Sequence, residues 1–404
     1  MWYAGIDCSD QHHDVVVIDA DGRKVAARRF AHSAEGLADL TAFLAAQVQQ
    51  LDQLACIIET THGLLIAALL EAGLPVYPVN PKTVDRRRSA SGAKSDPIDA
   101  YLLAKTGRSD LADLRRLRPD SALIAELKTL TRDQAGLIES QTRLVNQLSA
   151  CLKAYYPVAL EFFTKLQQPS TLHFLQTYPP PEAAASASLE QLTQTLKTVG
   201  HTRAEAVARA IWHRLRQPHL TADPLTTRTK ARLMLALVGQ LRPLLGQIAA
   251  YDAEIERLFL MHADSQLFRS LPGAAKRLAP RLLAEWGDDR SRYSDCTSVQ
   301  ALAGTAPVAY QSGTYAKAHT RYACLKPLRN ALQQFAWQST KLEGWARAYY
   351  ERKRAEGKSH SMAIRCLANV WVRIIFAMWQ SERPYQTGVF ESARQQHRRK
   401  AVGA

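Results

Sequence analysis

The chain of 404 residues has only six cysteines, Cys8, Cys56, Cys151, Cys296, Cys324 and Cys366, with no CxxC pair among them and no histidine at zinc-ligand spacing. That excludes a disulfide scaffold and a structural zinc site, and the thiols are expected to be reduced and mostly buried. The chain does not open on a basic segment followed by an apolar run, and no stretch approaches the ~20 apolar residues of a membrane span. A cytosolic protein is expected. Acidic residues are scarce at one end only: residues 269 to 404 hold 23 basic and 9 acidic side chains, whereas residues 1 to 268 hold 29 and 28. A basic surface confined to one third of the chain is the footprint of a protein that neutralises phosphates and releases counterions, so nucleic acid is the natural partner and a merely solvated basic face the plainer alternative.

The length implies two or three cooperating domains. Trp2 to Asp7, Asp14 to Asp19 and Arg23 to Phe30 read as three strands of an antiparallel meander, the last two joined at an Asp21-Gly22 turn. A helix over Glu35 to Val48, a central strand Leu54 to Ile58, a helix Leu64 to Glu71, a short strand Pro75 to Val79 and a helix from Pro97 follow. This βββαβαβα order is the one used by the ribonuclease H-like fold. Next comes a seven-residue recurrence of Leu123, Leu130, Leu137, Leu144 and Cys151, with Leu127 and Leu148 on the adjoining seam and Gln134 and Gln141 as polar interruptions. A second such pattern places Met234, Leu241, Ile248 and Ile255 beside Leu237, Leu244, Tyr251 and Leu258, with Pro243 expected to kink it. Two long coiled-coil helices are expected, pairing within one chain or across a dimer.

The resulting fold class is α/β plus α. An N-terminal RuvC/ribonuclease H-like domain spans residues 1 to 115, and central coiled-coil helices over 116 to 265 carry a helical insertion at about 157 to 230. A mainly helical C-terminal domain spans 266 to 385, and 386 to 404 form a basic, disordered tail.

Metal-dependent phosphoryl transfer uses divalent ions held by three or four carboxylates. Asp7 ends the first strand, Glu59 follows Leu54 to Ile58, and Asp96 and Asp99 open the last helix, where i, i+3 spacing sets them on one face. The four are candidate ligands for Mg²⁺, or Mn²⁺ in its place. Each has a plainer reading, Asp96 as the N-cap before Pro97 among them. Asp10 and Asp14 rank lower, since Asp10 falls in a turn and Asp14 begins the second strand. Arg86, Arg87, Arg88 and Lys94, just before the paired aspartates, are candidate contacts to a nucleic-acid backbone.

Several motifs now combine. Gly5-Ile6-Asp7, Glu59-Thr60-Thr61-His62-Gly63, Val79-Asn80-Pro81 and Ala93-Lys94-Ser95-Asp96-Pro97-Ile98-Asp99-Ala100 stand in the first half. Ser270-Leu271-Pro272-Gly273, Ala303-Gly304-Thr305-Ala306-Pro307 and Gln311-Ser312-Gly313, then Lys317, Arg321 and Leu328-Arg329, stand in the second. Together they resemble the IS-one-ten family of insertion-sequence transposases, relatives of the Piv-type DNA invertases. The chain departs from the family's usual pattern at Ser95, where a Thr is usual, and at Gly273-Ala274-Ala275, where a Gly-Ile-Gly-like step is usual.

The resemblance implies a DEDD site on Asp7, Glu59, Asp96 and Asp99 and a catalytic serine at Ser312, which by spacing alone is only a Ser-Gly turn. It also implies a bacterial, nucleoid-associated enzyme acting on donor and target DNA with a structured non-coding bridge RNA as guide. Lys317, Arg321, Lys326 and Arg329 are then candidate phosphate contacts near Ser312, and a homo-oligomer, dimer or tetramer, would form through the coiled coil. The expected reaction is attack by Ser312 on a DNA phosphate with metal at the carboxylates assisting, in a site that the coiled coil assembles between protomers. Two alternatives compete. One is a structure-specific endonuclease of the Holliday-junction-resolving kind that uses metal-activated water, and the other a non-catalytic nucleic-acid-binding protein.

Overall fold

The structure, a computed structural model, describes residues 1–80, 95–313 and 315–388. Arg86, Arg87, Arg88, Lys94 and the tail from 389 onward lie outside the described residues. The chain divides into two compact units, one from Met1 to Asp120 and one from Ser121 onward.

The first unit is a three-layer α/β sandwich. Its strands are β1 (Trp2–Cys8), β2 (His12–Ile18), β3 (Lys24–Ala31), β4 (Leu54–Ile58) and β5 (Val76–Pro78), and its helices α1 (Ala34–Ala45), α2 (Leu64–Glu71) and α3 (Asp96–Asp110). The sheet order is β3-β2-β1-β4-β5, with β1, β2 and β3 antiparallel and β1, β4 and β5 parallel. The middle strand is therefore β1, and β4, expected to be central, is its parallel neighbour.

Alternation along the strands divides the core between two faces. Ala4, Ile6, Val15, Val17, Cys56 and Ile58 pack on Leu40 and Leu44 of α1 and Leu65, Ile66 and Leu69 of α2. On the other face Val16 and Ile18 meet Ala100 and Ala104 of α3, and Ala55 and Ile57 meet its Leu103. Gly5 makes this second contact possible. A Cβ at Gly5 would lie 1.9 Å from the Ala100 carbonyl oxygen and 2.4 Å from the Ala104 nitrogen, so the backbone of α3 rests directly on that of β1. This close approach sets where the N-terminus of α3 ends up.

The second unit is built on two long helices. The first of them, α4 (Ala122–Tyr155), is followed by the short helices α5 (Ala159–Phe162), α6 (Pro169–Thr177), α7 (Pro181–Ser186), α8 (Leu189–Thr198) and α9 (Ala204–Leu215), and then by the second, α10 (Pro224–Met261). Gln134 Nε2 donates to Asp252 Oδ1 at 2.8 Å, and the Cys151 thiol to the Lys230 carbonyl at 3.4 Å, so α4 and α10 pair antiparallel within one chain. The buried row on α4 is shifted by one residue from the expected one. Ile124, Thr131 and Leu152 are buried beside Leu127, Gln134 and Leu148, whereas of the expected row Cys151 is buried and Leu123, Leu130, Leu137 and Leu144 are only half-buried. Pro243 sits inside one continuous helical span of 38 residues.

The two ends of this helix pair belong to different cores. Leu148, Leu152, Tyr155, Met234, Leu237 and Leu241 pack with the insertion helices, which thus cap one end. Ile124, Leu127, Ile255, Leu258 and Phe259 pack with the C-terminal helices α11 (Ser265–Arg269), α12 (Ala275–Trp286), α13 (Cys296–Leu302), α14 (Lys326–Ser339), α15 (Gly344–Ala355) and α16 (His360–Ser381), while the hairpin β6 (Val308–Ser312) and β7 (Tyr315–His319) between α13 and α14 contributes nothing to this core. Trp286, Trp371 and Trp379 are fully buried there. Arg132 of α4 grips Glu285 of α12 through two hydrogen bonds of 2.7 and 2.8 Å.

Two sequence expectations need correction. Pro224–Met261 and His360–Ser381 are each long and apolar enough to cross a membrane by length and composition. Their apolarity has another use, since both supply residues to the protein's own cores. Of the six cysteines, only Cys56 and Cys151 are buried; Cys8 is exposed and Cys296, Cys324 and Cys366 are half-buried.

Candidate functional sites

The carboxylates come together on the face of the sheet that α3 covers. Asp7 pairs with Asp14 across β1 and β2, and directly opposed residues share a face. On the other side of β1, Gly5 pairs with Ile57 and Ile6 with Ile58, so Glu59, the next residue after β4, continues the same register beside Asp7. Asp96 and Asp99 stand in the first turn of α3, which Gly5 seats against this region.

The electrostatics follow from this placement. Burial first, then the negative charges of Asp99, Asp96 and Asp14, push the Asp7 carboxyl from 3.8 up to about 6. Desolvation, then the charges of Asp7 and Glu59, push the neighbouring Cys8 thiol up to about 12. The structure thus brings Asp7, Asp96 and Asp99 within electrostatic reach of one another, with Glu59 set beside Asp7 by strand register.

It also brings in residues that the sequence reading ranked low or left out. Asp14 is 6% exposed and joins His12 and Asp96 in a group whose ligand atoms lie within 4.8 Å of one another. His12 Nε2 lies 3.2 Å from Asp96 Oδ2 and 3.6 Å from Asp14 Oδ2. Arg29 of β3 forks onto Asp14, its Nη2 donating to Oδ2 at 2.9 Å and its Nε to both oxygens at 3.1 and 3.2 Å, and Nη2 also reaches Asp96 at 3.5 Å. The available signal was the alternation in His12-His13-Asp14, which puts residues 12 and 14 on one face.

A carboxyl raised to about 6 first by desolvation and then by neighbouring carboxylates fits a hard divalent cation, whose preferred donors are oxygens and whose charge would relieve the repulsion.

Ser312 lies in the second unit, as the last residue of β6, followed by Gly313 at φ +58°. Every residue of β6 and β7 is exposed. Ser312 pairs with Tyr315 and Tyr310 with Lys317, which puts Lys317 on the Ser312 face at the diagonal position. Arg321 follows β7, and its Nε is buried without a protein partner. Lys326 begins α14 in solvent, and one turn later Arg329 reaches the Cys324 sulfur at 3.8 Å and Asn330 at 3.4 Å.

Two segments of the chain match known transposase domains. Residues 4–157 match a transposase family model, and residues 265–351 match the model described as transposase IS116/IS110/IS902 family. The mini-circle transposase named for IS117 in Streptomyces coelicolor is 34% identical over 378 residues, 91% of each chain. The chain belongs to the IS116/IS110/IS902 family of transposases. This transposase is also 29% identical to the insertion element IS116 protein of Streptomyces clavuligerus, over 94% of its own length and 95% of the relative's. The insertion element IS900 protein of Mycobacterium paratuberculosis is 26% identical over 97% and 98%.

Transposases cut and rejoin DNA, so the transposase is an enzyme of DNA recombination. Asp7, Glu59, Asp96 and Asp99 fall within the first matched segment, and Ser312, Lys317, Arg321, Lys326 and Arg329 within the second. Among solved structures, one titled T. thermophilus RuvC in complex with Holliday junction substrate matches 29% of this chain and 99% of its own at 17% identity and a TM-score of 0.24. The α/β assignment of the first unit rests instead on its own strand order.

Proposed function

We propose that this transposase moves DNA by guide-RNA-directed cleavage, strand exchange and religation through a serine nucleophile, Ser312, and a Mg²⁺-binding carboxylate site. The observation that carries the metal half is the convergence of Asp7, Glu59, Asp96 and Asp99 under α3, together with the raised Asp7 carboxyl. The strand order β3-β2-β1-β4-β5 and the βββαβαβα sequence of elements support a ribonuclease H-like fold of the RuvC kind for the first unit.

Asp7, Glu59, Asp96 and Asp99 would hold the ion. When bound, Mg²⁺ supplies Lewis-acid stabilisation of charge on phosphoryl oxygens. Asp14, paired with the Arg29 fork, holds Arg29 and with it helps orient Asp96.

At the second centre the Ser312 oxygen attacks a DNA phosphorus, the bond from phosphorus to the leaving deoxyribose oxygen breaks, and the serine proton leaves as that oxygen gains one. Lys317, on the same ribbon face, stabilises the charge of the five-coordinate phosphate, and Arg321, Lys326 and Arg329 hold flanking phosphates. Attack by a deoxyribose hydroxyl of another strand on the seryl phosphodiester reverses these bond changes, restores the diester and frees Ser312. The phosphoester bond energy is conserved, so ATP is not consumed. A structured bridge RNA pairing with donor and target would set the sequence, leaving the protein to read backbone and shape at nucleoid DNA. The assembly would be a dimer or tetramer of this chain.

The test is strand exchange between donor and target DNA, with Mg²⁺ and RNA transcribed from the flanks of the gene. Loss of exchange in both Ser312→Ala and Asp7→Ala is expected. Continued cutting by Ser312→Ala would instead make the protein a metal nuclease.

A further inference from the structure

Opposed residues of an antiparallel ribbon share a face, as do alternate residues along each strand. The register Val308↔His319, Tyr310↔Lys317 and Ser312↔Tyr315 therefore sorts the β6–β7 hairpin into two unlike sides. One side bears Val308, Tyr310, Ser312, Tyr315, Lys317 and His319. The other bears Ala309, Gln311, Ala316 and Ala318 and has no ring.

On the first side the rings form a row. Tyr310 stands 6.2 Å from Tyr315 at 77° and 6.0 Å from His319 at 87°, both edge-to-face contacts. Tyr310 is 56% and Tyr315 52% exposed. Tyrosine rings gain free energy by leaving water, and three rings assembled on a solvated ribbon leave that gain unrealised until something covers them. They already hold one another in place and have few rotatable bonds, so covering them costs little side-chain entropy.

The occupant must present flat apolar faces at one end and negative charge at the other, because Lys317 shares this face and residues 269–404 carry 14 more basic than acidic side chains. Nucleotides combine these features, and base stacking on aromatic side chains is how sequence-tolerant single-strand binding is built.

We propose that Tyr310, Tyr315 and His319 form a stacking platform for unpaired DNA bases beside the phosphate presented to Ser312, with Lys317 on the backbone charge. These are positioning residues. The inference rests on the reading of Ser312 as nucleophile for its place in the reaction, while binding to the platform is independent of that reading. A base held on the rings fixes the sugar–phosphate next to it, which limits the directions from which the Ser312 oxygen meets phosphorus.

The test uses full-length protein in a Ser312→Ala background, which blocks chemistry, and a short single-stranded oligodeoxynucleotide containing 2-aminopurine, whose emission is quenched by stacking. Tyr310→Leu and Tyr315→Leu are expected to weaken binding roughly five- to a hundredfold per ring and to abolish the quench. Tyr→Phe at both positions should restore affinity and quench, since the ring and not the hydroxyl is used. Unchanged affinity and quench in the Leu proteins would overturn the platform. So would a change confined to oligomeric state on sedimentation, which would assign the face to a second copy of the chain. Adduct mapping in the Ser312 protein separates the two claims. A DNA adduct on another residue, with ring-dependent binding intact, defeats the nucleophile reading alone, and an adduct on Ser312 with ring-independent binding defeats the platform alone.

Discussion

Asp7 and Asp14 face each other across β1 and β2 on the side of the sheet that α3 covers, and the charge of Asp14 is among those that keep the Asp7 carboxyl protonated up to about pH 6. A carboxyl whose folded-state pKa is raised favours the fold in its protonated form. That contribution is fully present below about pH 4 and is lost as pH rises through 6. In the presence of a chelator, thermal stability should therefore decline between pH 4 and 7 by about 1 to 2 kcal/mol from this group, after discounting for its partial exposure to solvent. Asp7→Asn should flatten the decline, and Mg²⁺ at pH 7 should restore stability in the wild type but not in Asp7→Asn. Calorimetry across pH checks this, and a flat wild-type profile without metal would contradict the crowded site.

Gly5→Ala tests what seats α3. The added methyl would meet the Ala100 carbonyl oxygen and the Ala104 nitrogen, backbone atoms of α3 that cannot rotate aside as a flexible side chain could. Overpacking of this kind should cost about 1–3 kcal/mol or more, measured by denaturant unfolding. Because α3 carries Asp96 and Asp99, divalent-ion affinity measured by titration calorimetry should fall with it. Stability loss with unchanged affinity would show that the ligands are placed by something other than this contact.

Arg132→Met should be among the most damaging single changes in the second unit. The Glu285 side chain is fully buried and Arg132 answers both of its oxygens. Removing only the cation leaves a buried charge and should cost about 3–5 kcal/mol. Adding Glu285→Leu to that variant should recover most of the loss in chemical denaturation. No recovery would mean that the pair contributes more than mutual neutralisation.

Lys317→Ala addresses the phosphate role. DNA affinity should weaken across all sequences, and the slope of log affinity against log salt should shrink by about 1. A loss that depends on sequence, with an unchanged slope, would assign Lys317 to base recognition.

The first unit was legible because its signals are local. Two-residue alternation and the Asp21-Gly22 turn gave its elements within a few residues, and i, i+3 spacing put Asp96 and Asp99 together. The weight of Asp14 was not legible, because it depends on register. Only the observed pairing of Asp7 with Asp14 shows that Asp14 shares the Asp7 face, and the Arg29 fork comes from a third strand. The long helices show the same limit. Their seven-residue recurrence was readable, but the buried row runs through Ile124, Thr131 and Leu152, one residue on from the leucine row. Helix α4 packs on α10 and also on α12, so more than one face is covered and the leucine row alone does not mark the seam. Ser312 was legible only through its motif, since a serine before glycine in a hairpin has no distinguishing physics until its face of the ribbon is known.

The central claim is the covalent step, and trapping it is the most direct measurement. Wild-type protein, donor and target DNA, Mg²⁺ and flank-derived RNA are incubated, quenched in denaturant and digested, and the DNA-linked peptide is identified by mass spectrometry. The account predicts a phosphodiester on Ser312 in the wild type and no adduct in Ser312→Ala, with Asp7→Ala forming little or none. Strand exchange proceeding in Ser312→Ala, or an adduct on a different residue, would contradict it.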